Sequence, residues 1–135
     1  MDTLTAILDG FAVSLSPARA FYCFLGAVLG TVVGVLPGLG PSATIALLLP
    51  VTYRLDTVSA IIMMAGIYYG SQYGGSTTSI LVRIPGESSS MVTCFDGYEM
   101  TKQGRAGPAL GMAAIASFIA GTLAVVGLML VAPPL

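Results

Sequence analysis

Apolar residues recur at helical spacing from the start of the chain: Leu4, Ile7, Leu8, Phe11 and Leu15, with Thr3, Thr5, Asp9 and Ser14 between them. The spacing predicts an amphipathic helix over residues 1–16, too short and too polar to span a bilayer and suited to its interface. Ser16-Pro17 restarts the chain, because proline fits the first turn of a following helix. A second apolar run goes from Ala20 to Leu36 and resumes from Ala43 to Val51. Neither part reaches the ~20 residues of a straight span, so residues 20–51 are expected to form a broken hairpin. A third run, 57–84, is long enough to cross but is interrupted by GSQYGGSTTS at 70–79. Residues 85–108 read as a polar loop holding Glu87, Asp96, Glu99, Lys102 and Arg105. Residues 109–132 carry no charge and make about 36 Å of helix, the plainest transmembrane segment in the chain. The ending APPL, without a polar tail, predicts that the sequence is part of something longer.

Glycines refine this pattern. Gly26, Gly30, Gly34 and Gly38 fall every fourth residue, as do Gly66, Gly70 and Gly74. On a helix each set makes a bare stripe that lets another backbone approach closely. The last glycine of each set lies inside an interruption, which is expected to place the interruption against protein rather than lipid.

The first interruption is GVLPGLGPS, residues 34–42. Pro37 and Pro41 each remove a donor and obstruct a helical turn, while Gly38 and Gly40 accept φ values that other residues resist. Lipid cannot hydrogen-bond a free N–H or C=O, so irregular backbone at membrane depth survives inside protein or beside a polar cavity. Ser42 and Thr44 follow, with hydroxyls suited to capping or to ligand contact. The second interruption sets Ser76, Thr77, Thr78 and Ser79 beside Gly74 and Gly75, with Gln72 and Tyr73 just upstream. Hydroxyls and bare carbonyls are hard oxygen ligands for a small cation, and hydroxyls with N–H groups can bind a carboxylate. Paired broken segments point to a transporter's binding site. The plainer account is that each Ser or Thr bonds back to a helix carbonyl. The candidate substrate and ion ligands are therefore Gly38, Gly40, Pro41, Ser42, Thr44, Gln72, Tyr73, Gly74, Gly75, Ser76, Thr77 and Thr78.

Composition agrees with a membrane setting. The 135 residues are 56% hydrophobic and 8% charged, with mean hydropathy +0.92, too few charges to cover a water-facing surface. The fold class expected is an all-α integral membrane protein: an interfacial amphipathic helix, a broken, re-entrant hairpin, a discontinuous transmembrane helix and a further transmembrane helix. A net charge of −1 gives no reason to expect nucleic acid. Without histidine there is neither a Ser/His/Asp triad nor a zinc site, and an enzyme is not expected. Cys23 and Cys94 read as small packing residues. Gly38-Leu-Gly-Pro-Ser-Ala43 fits a dinucleotide fingerprint by spacing, but Pro41 occupies the loop whose amides should reach the pyrophosphate.

Three stretches, GVLPGLGPSATIALLLP, GIYYGSQYGGSTTSIL and PGESSSMVTCFDGYEMTKQGRAGPAL, resemble the large membrane subunit of the tripartite tricarboxylate transporters, the TctA family. The resemblance implies a multi-pass permease subunit in the bacterial inner membrane for tricarboxylates such as citrate or for other organic acids. It also implies a small membrane subunit, a periplasmic solute-binding protein and secondary, ion-driven transport. The family is similar to a broader ion-transporter superfamily that pairs a re-entrant hairpin with an unwound helix. Carried onto this chain, the hairpin tip would be residues 34–42 and the unwound stretch 70–79. The alternative is a truncated, non-transporting fragment or an assembly module without a complete substrate site.

No Asp, Glu, His or Lys lies in residues 20–51, 57–82 or 109–132. A proton relay needs a group that titrates, so the expected coupling ion is sodium, held by hydroxyls and carbonyls, with no other cofactor. If residues 20–51 form a hairpin, Arg19 and Arg54 share a side, which the positive-inside rule makes cytoplasmic; Arg83, Lys102 and Arg105 pull the other way.

Overall fold

The computed structural model describes residues 3–131; the expected outermost positions of the first and last segments, residues 1–2 and Ala132, lie outside the described residues. The described residues form helices α1 (Thr3–Ser14), α2 (Pro17–Gly34), α3 (Pro41–Leu48), α4 (Thr57–Val82), α5 (Thr93–Lys102) and α6 (Ala106–Val131). Two short 3₁₀ segments join them, Leu49–Arg54 after α3 and Ser88–Met91 before α5. Pro17 sits in the first turn of α2 and lengthens that helix to 18 residues, at the lower end of what a bilayer needs. Among the described residues, α2 and α6 are long and apolar enough to cross a membrane.

The central helix is α4, and it is unbroken. This corrects the expected discontinuity at residues 70–79. The hydroxyls of Ser76, Thr77, Thr78 and Ser79 donate to the carbonyls of Gln72, Tyr73, Gly74 and Gly75 at 3.1, 2.9, 3.2 and 2.9 Å. All four bond back within their own helix, Thr78 also reaching outside it, and the glycines are used for packing instead. Cβ atoms placed on Gly26, Gly30 and Gly34 would meet the backbone of Met63, Ile67 and Ser71. Those placed on Gly66, Gly70 and Gly74 would meet the backbone of Cys23, Ala27 and Thr31. Both series ascend together, so α2 and α4 run parallel, with bare backbones interleaved over three turns. Cys23 contributes only its backbone here; its side chain is exposed, contrary to the packing role expected for it.

Parallel neighbours need a return segment. Arg19 lies 4.0 Å from Asp56 at one end of the pair. At the other end, the Thr78 hydroxyl donates to the carbonyl of Val35 at 2.8 Å. The chain between Val35 and Asp56 therefore reverses, and α3 with its 3₁₀ extension spans roughly 24 Å on the way back. Arg19 and Arg54 do share one end. The expected polar loop at 85–108 is also corrected, because it contains α5. Gly97 of that helix lies over Ile80, and the Thr101 hydroxyl donates to the Ile80 carbonyl at 2.8 Å. Arg83 closes α4 in a left-handed conformation, φ 61°, with its guanidinium over the Tyr98 ring.

The distribution of side chains differs from that of a water-soluble bundle. Thr44, Ser59, Ser71, Thr78 and Ser79 are buried alongside Met63, Ile67 and Ile80, whereas Phe24, Phe118 and Leu128 are 67%, 75% and 67% exposed. Apolar side chains over most of the outside suit lipid rather than water.

Candidate functional site

The first interruption is real and lies where expected. α2 ends at Gly34 and α3 begins at Pro41. Between them the Leu36 N–H donates to Val33 and the Leu39 N–H to Leu36 in tight turns. Gly38 has φ +83° with open space around its Cα, so conformation rather than crowding demands glycine there. Gly40 is the extended residue before α3, and Pro41 is buried in the first turn. Thr44, with 0% exposure, donates its hydroxyl back to the Gly40 carbonyl at 3.1 Å. Ser42 is exposed.

α4 closes the interruption from one side. Gly74 packs on Thr31 and on the Gly34–Val35 peptide, and Thr78 bonds Val35. The segment after α4 closes it from another side. Gly86 folds back onto Gly75, and the Glu87 side chain lies 3.8 Å from the Cβ position of Gly40. Of the residues singled out from the second run, Gly74, Gly75 and Thr78 thus reach the first interruption or the segment that covers it. Gln72 instead bonds the Tyr68 hydroxyl at 3.2 Å and meets the Ser89 hydroxyl at 3.5 Å. Tyr73 turns to a different face, where it lines an apolar groove of about 600 Å³ with Phe11, Tyr69 and α6. Among the described residues, Ser76 and Thr77 bond only within α4. An unbroken helix distributes consecutive residues around its axis, so the run cannot converge on one ligand as an unwound stretch could.

Sequence reasoning missed Glu87 and Ser71. Glu87 begins a capping box: its side chain accepts from the Ser90 N–H, and its own N–H donates to the Ser90 hydroxyl at 3.3 Å. Its Oε1 is nonetheless buried without a partner among the described residues, and so is the hydroxyl of Ser71, whose backbone packs on Gly34. The Glu87-Ser-Ser-Ser90 spacing could have announced a structured turn; nothing local announces that it folds over Gly40. Among the described residues no group of three His, Cys, Asp or Glu could hold a metal ion. What the site offers is one carboxylate amid hydroxyls and backbone carbonyls.

An uncharacterized 52.8 kDa protein from the 3′ region of TAR-I ttuC′ in Agrobacterium vitis is 56% identical over 135 residues. The match takes in all of this chain and 27% of that relative, so the chain spans about a quarter of its length. No solved structure matches the chain. The family model described as "Tripartite tricarboxylate transporter TctA family" matches residues 20–135, nearly the whole sequence. The chain belongs to the TctA family of the tripartite tricarboxylate transporters.

Proposed function

We propose that the chain is part of the permease subunit of a secondary, ion-coupled tripartite transporter for tricarboxylates or related organic acids. In this reading it sits in the bacterial inner membrane and works with a small membrane subunit and a periplasmic solute-binding protein. It carries no catalytic chemistry. The substrate and ion approach the interruption between α2 and α3, with residues 34–42 as a re-entrant tip. One observation supports placing the site there: the backbone leaves helical geometry at residues 35–40 while α4 and the Gly86-Glu87 turn pack around it. Irregular backbone inside a membrane protein is tolerated where it faces protein or a polar ligand. Sodium suits the neutral oxygens of Ser42, Thr44 and the carbonyls, while α2, α3 and α4 themselves contain no carboxylate or amine to relay a proton and, among the described residues, Glu87 is the one acid beside the interruption.

The test is uptake of labelled citrate into vesicles holding the complete transporter, with sodium and pH gradients imposed separately. Sodium-driven uptake, lost on Gly38→Val, is expected. Uptake driven fully by a pH gradient in sodium-free buffer would overturn sodium coupling. Normal uptake by Gly38→Val would remove the interruption from the site.

A further inference from the structure

The two residues that carry buried, unpartnered side-chain oxygens among the described residues bracket the α2–α3 interruption. The backbone of Ser71, 2% exposed, packs on Gly34 at its start, and the Glu87 Cβ lies 3.8 Å from the Cβ position of Gly40 at its end. We propose that Glu87 supplies the anionic oxygen, and Ser71 a neutral one, to a monovalent cation held at this interruption. The proposal rests on the ion-coupled reading above and names the charge that reading lacked.

Three observations carry it. First, the carboxylate makes no ion pair among the described residues. The ion pairs among the described residues join Arg19 to Asp56 and Lys102 to Glu99, and Arg83 is turned over Tyr98. A shielded carboxylate oxygen with neither donor nor counter-charge is costly, and a bound cation offsets that cost directly. Second, Glu87 is oriented. The capping box fixes its backbone and holds the side chain against Ser90, and Gly86 is pinned on Gly75, where a Cβ at Gly75 would have only 3.4 Å to Gly86 Cα. Third, the elements that form and flank the interruption carry hard oxygens with spare lone pairs. The Thr44 hydroxyl gives its hydrogen to the Gly40 carbonyl and keeps its acceptor capacity, and the Ser71 hydroxyl is uncommitted. One negative charge among neutral oxygens matches a singly charged ion. It lacks the several carboxylates that calcium sites gather.

Glu87→Gln separates ligation from structure, because glutamine can still accept from the Ser90 N–H in the capping box while losing the charge. The complete transporter, purified with its partner subunits, is melted in increasing sodium chloride against choline chloride at constant ionic strength. Sodium should raise the melting temperature saturably, as a ligand of the folded state does. E87Q should require at least about tenfold more sodium for half the effect, and S71A roughly threefold more, a smaller change for a neutral ligand. Melting in choline should be equal to the parent's or higher for E87Q, which no longer carries the uncompensated charge. If it is lower, E87D decides: a half-point shifted several-fold supports the site, and the parental half-point overturns it. An E87Q half-point equal to the parent's overturns the Glu87 assignment and leaves ion coupling standing. A parental protein that ignores sodium, yet takes up citrate on a pH gradient, overturns both this cation site and sodium coupling.

Discussion

The hydroxyl of Thr78 donates to the carbonyl of Val35, 43 residues earlier, at 2.8 Å. Val35 is the residue at which α2 stops, so this bond gives a partner to a carbonyl that the helix itself leaves without one. Thr78 also reaches the Gly74 carbonyl in its own helix at 3.2 Å, and the hydroxyl bridges the two elements. Thr78→Val keeps the shape and removes the bridge. We expect it to cost about 1 kcal/mol, the net contribution of one hydrogen bond, while Thr78→Ser stays near the parent. Unfolding of the purified complex measures both, and a valine variant as stable as the parent would deny the bond a structural role.

Glycine substitutions should separate packing from conformation. A Cβ on Gly30 would sit 2.8 Å from Ile67 Cα, rigid backbone that cannot move aside. Gly30→Ala should force α2 from α4 and cost roughly 1–3 kcal/mol or more. Gly38→Ala meets nothing, but its φ of +83° should cost about 1–2 kcal/mol. Gly40→Ala, with 3.8 Å to Glu87 Cβ and an ordinary φ of −64°, should change stability by less than ~0.5 kcal/mol. A different rank order in melting temperature contradicts this packing.

The fold also fixes which ends face alike. Ser16 precedes α2 beside the start of α4, whereas Gln103 follows α5, which is bonded to the far end of α4 through Thr101 and Ile80. α4 is about 39 Å long. Single cysteines at Ser16 and Gln103, with Cys23 and Cys94 replaced, should therefore react with impermeant reagents from opposite sides of the membrane. Labelling of both from one side would contradict a membrane-crossing α4.

Asp56 caps α4, and its carboxyl is held below the ordinary value by hydrogen bonds from Ser59, with Arg19 adding to the effect. A depressed value means that the cap contributes fully above the unfolded-state pKa, and that the contribution disappears as pH falls through the folded one. The parent should lose stability on acidification below about pH 4. Asp56→Asn, which still accepts from the Ser59 N–H, should show a shallower loss across a melting series from about pH 6 to pH 3. Identical slopes would rule Asp56 out as a contributor.

Much of this arrangement is written locally. Pro37, Gly38 and Pro41 cannot continue a helix whatever surrounds them, and the fourfold glycine spacing announces close packing. The residues at 70–79 misled for a physical reason. Hydroxyls beside glycines satisfy free ligands and i−4 carbonyls equally well, and which they do depends on a partner helix that the local sequence does not reveal. Here α2 fills the glycine stripe, and the backbone has no cause to unwind. α5 is hidden because its charged and polar residues leave little apolar periodicity; Gly97 and Thr101 declare themselves only once Ile80 lies opposite. The placement of Glu87 depends on Gly86 meeting Gly75, a contact made by the left-handed turn at Arg83.

Interlocked backbones have a mechanical consequence. With no side chains between α2 and α4 at Gly26, Gly30, Gly34, Gly66, Gly70 and Gly74, neither helix can slide along the other by a fraction of a turn without collisions at all six positions. The pair is a strut, and the non-helical tip is rigidly keyed to its end. Any exchange of access between the two faces of the membrane must then carry strut and tip together as one body. The bending is left to places where the chain is neither keyed nor helical, such as the turn at Gly104 before α6.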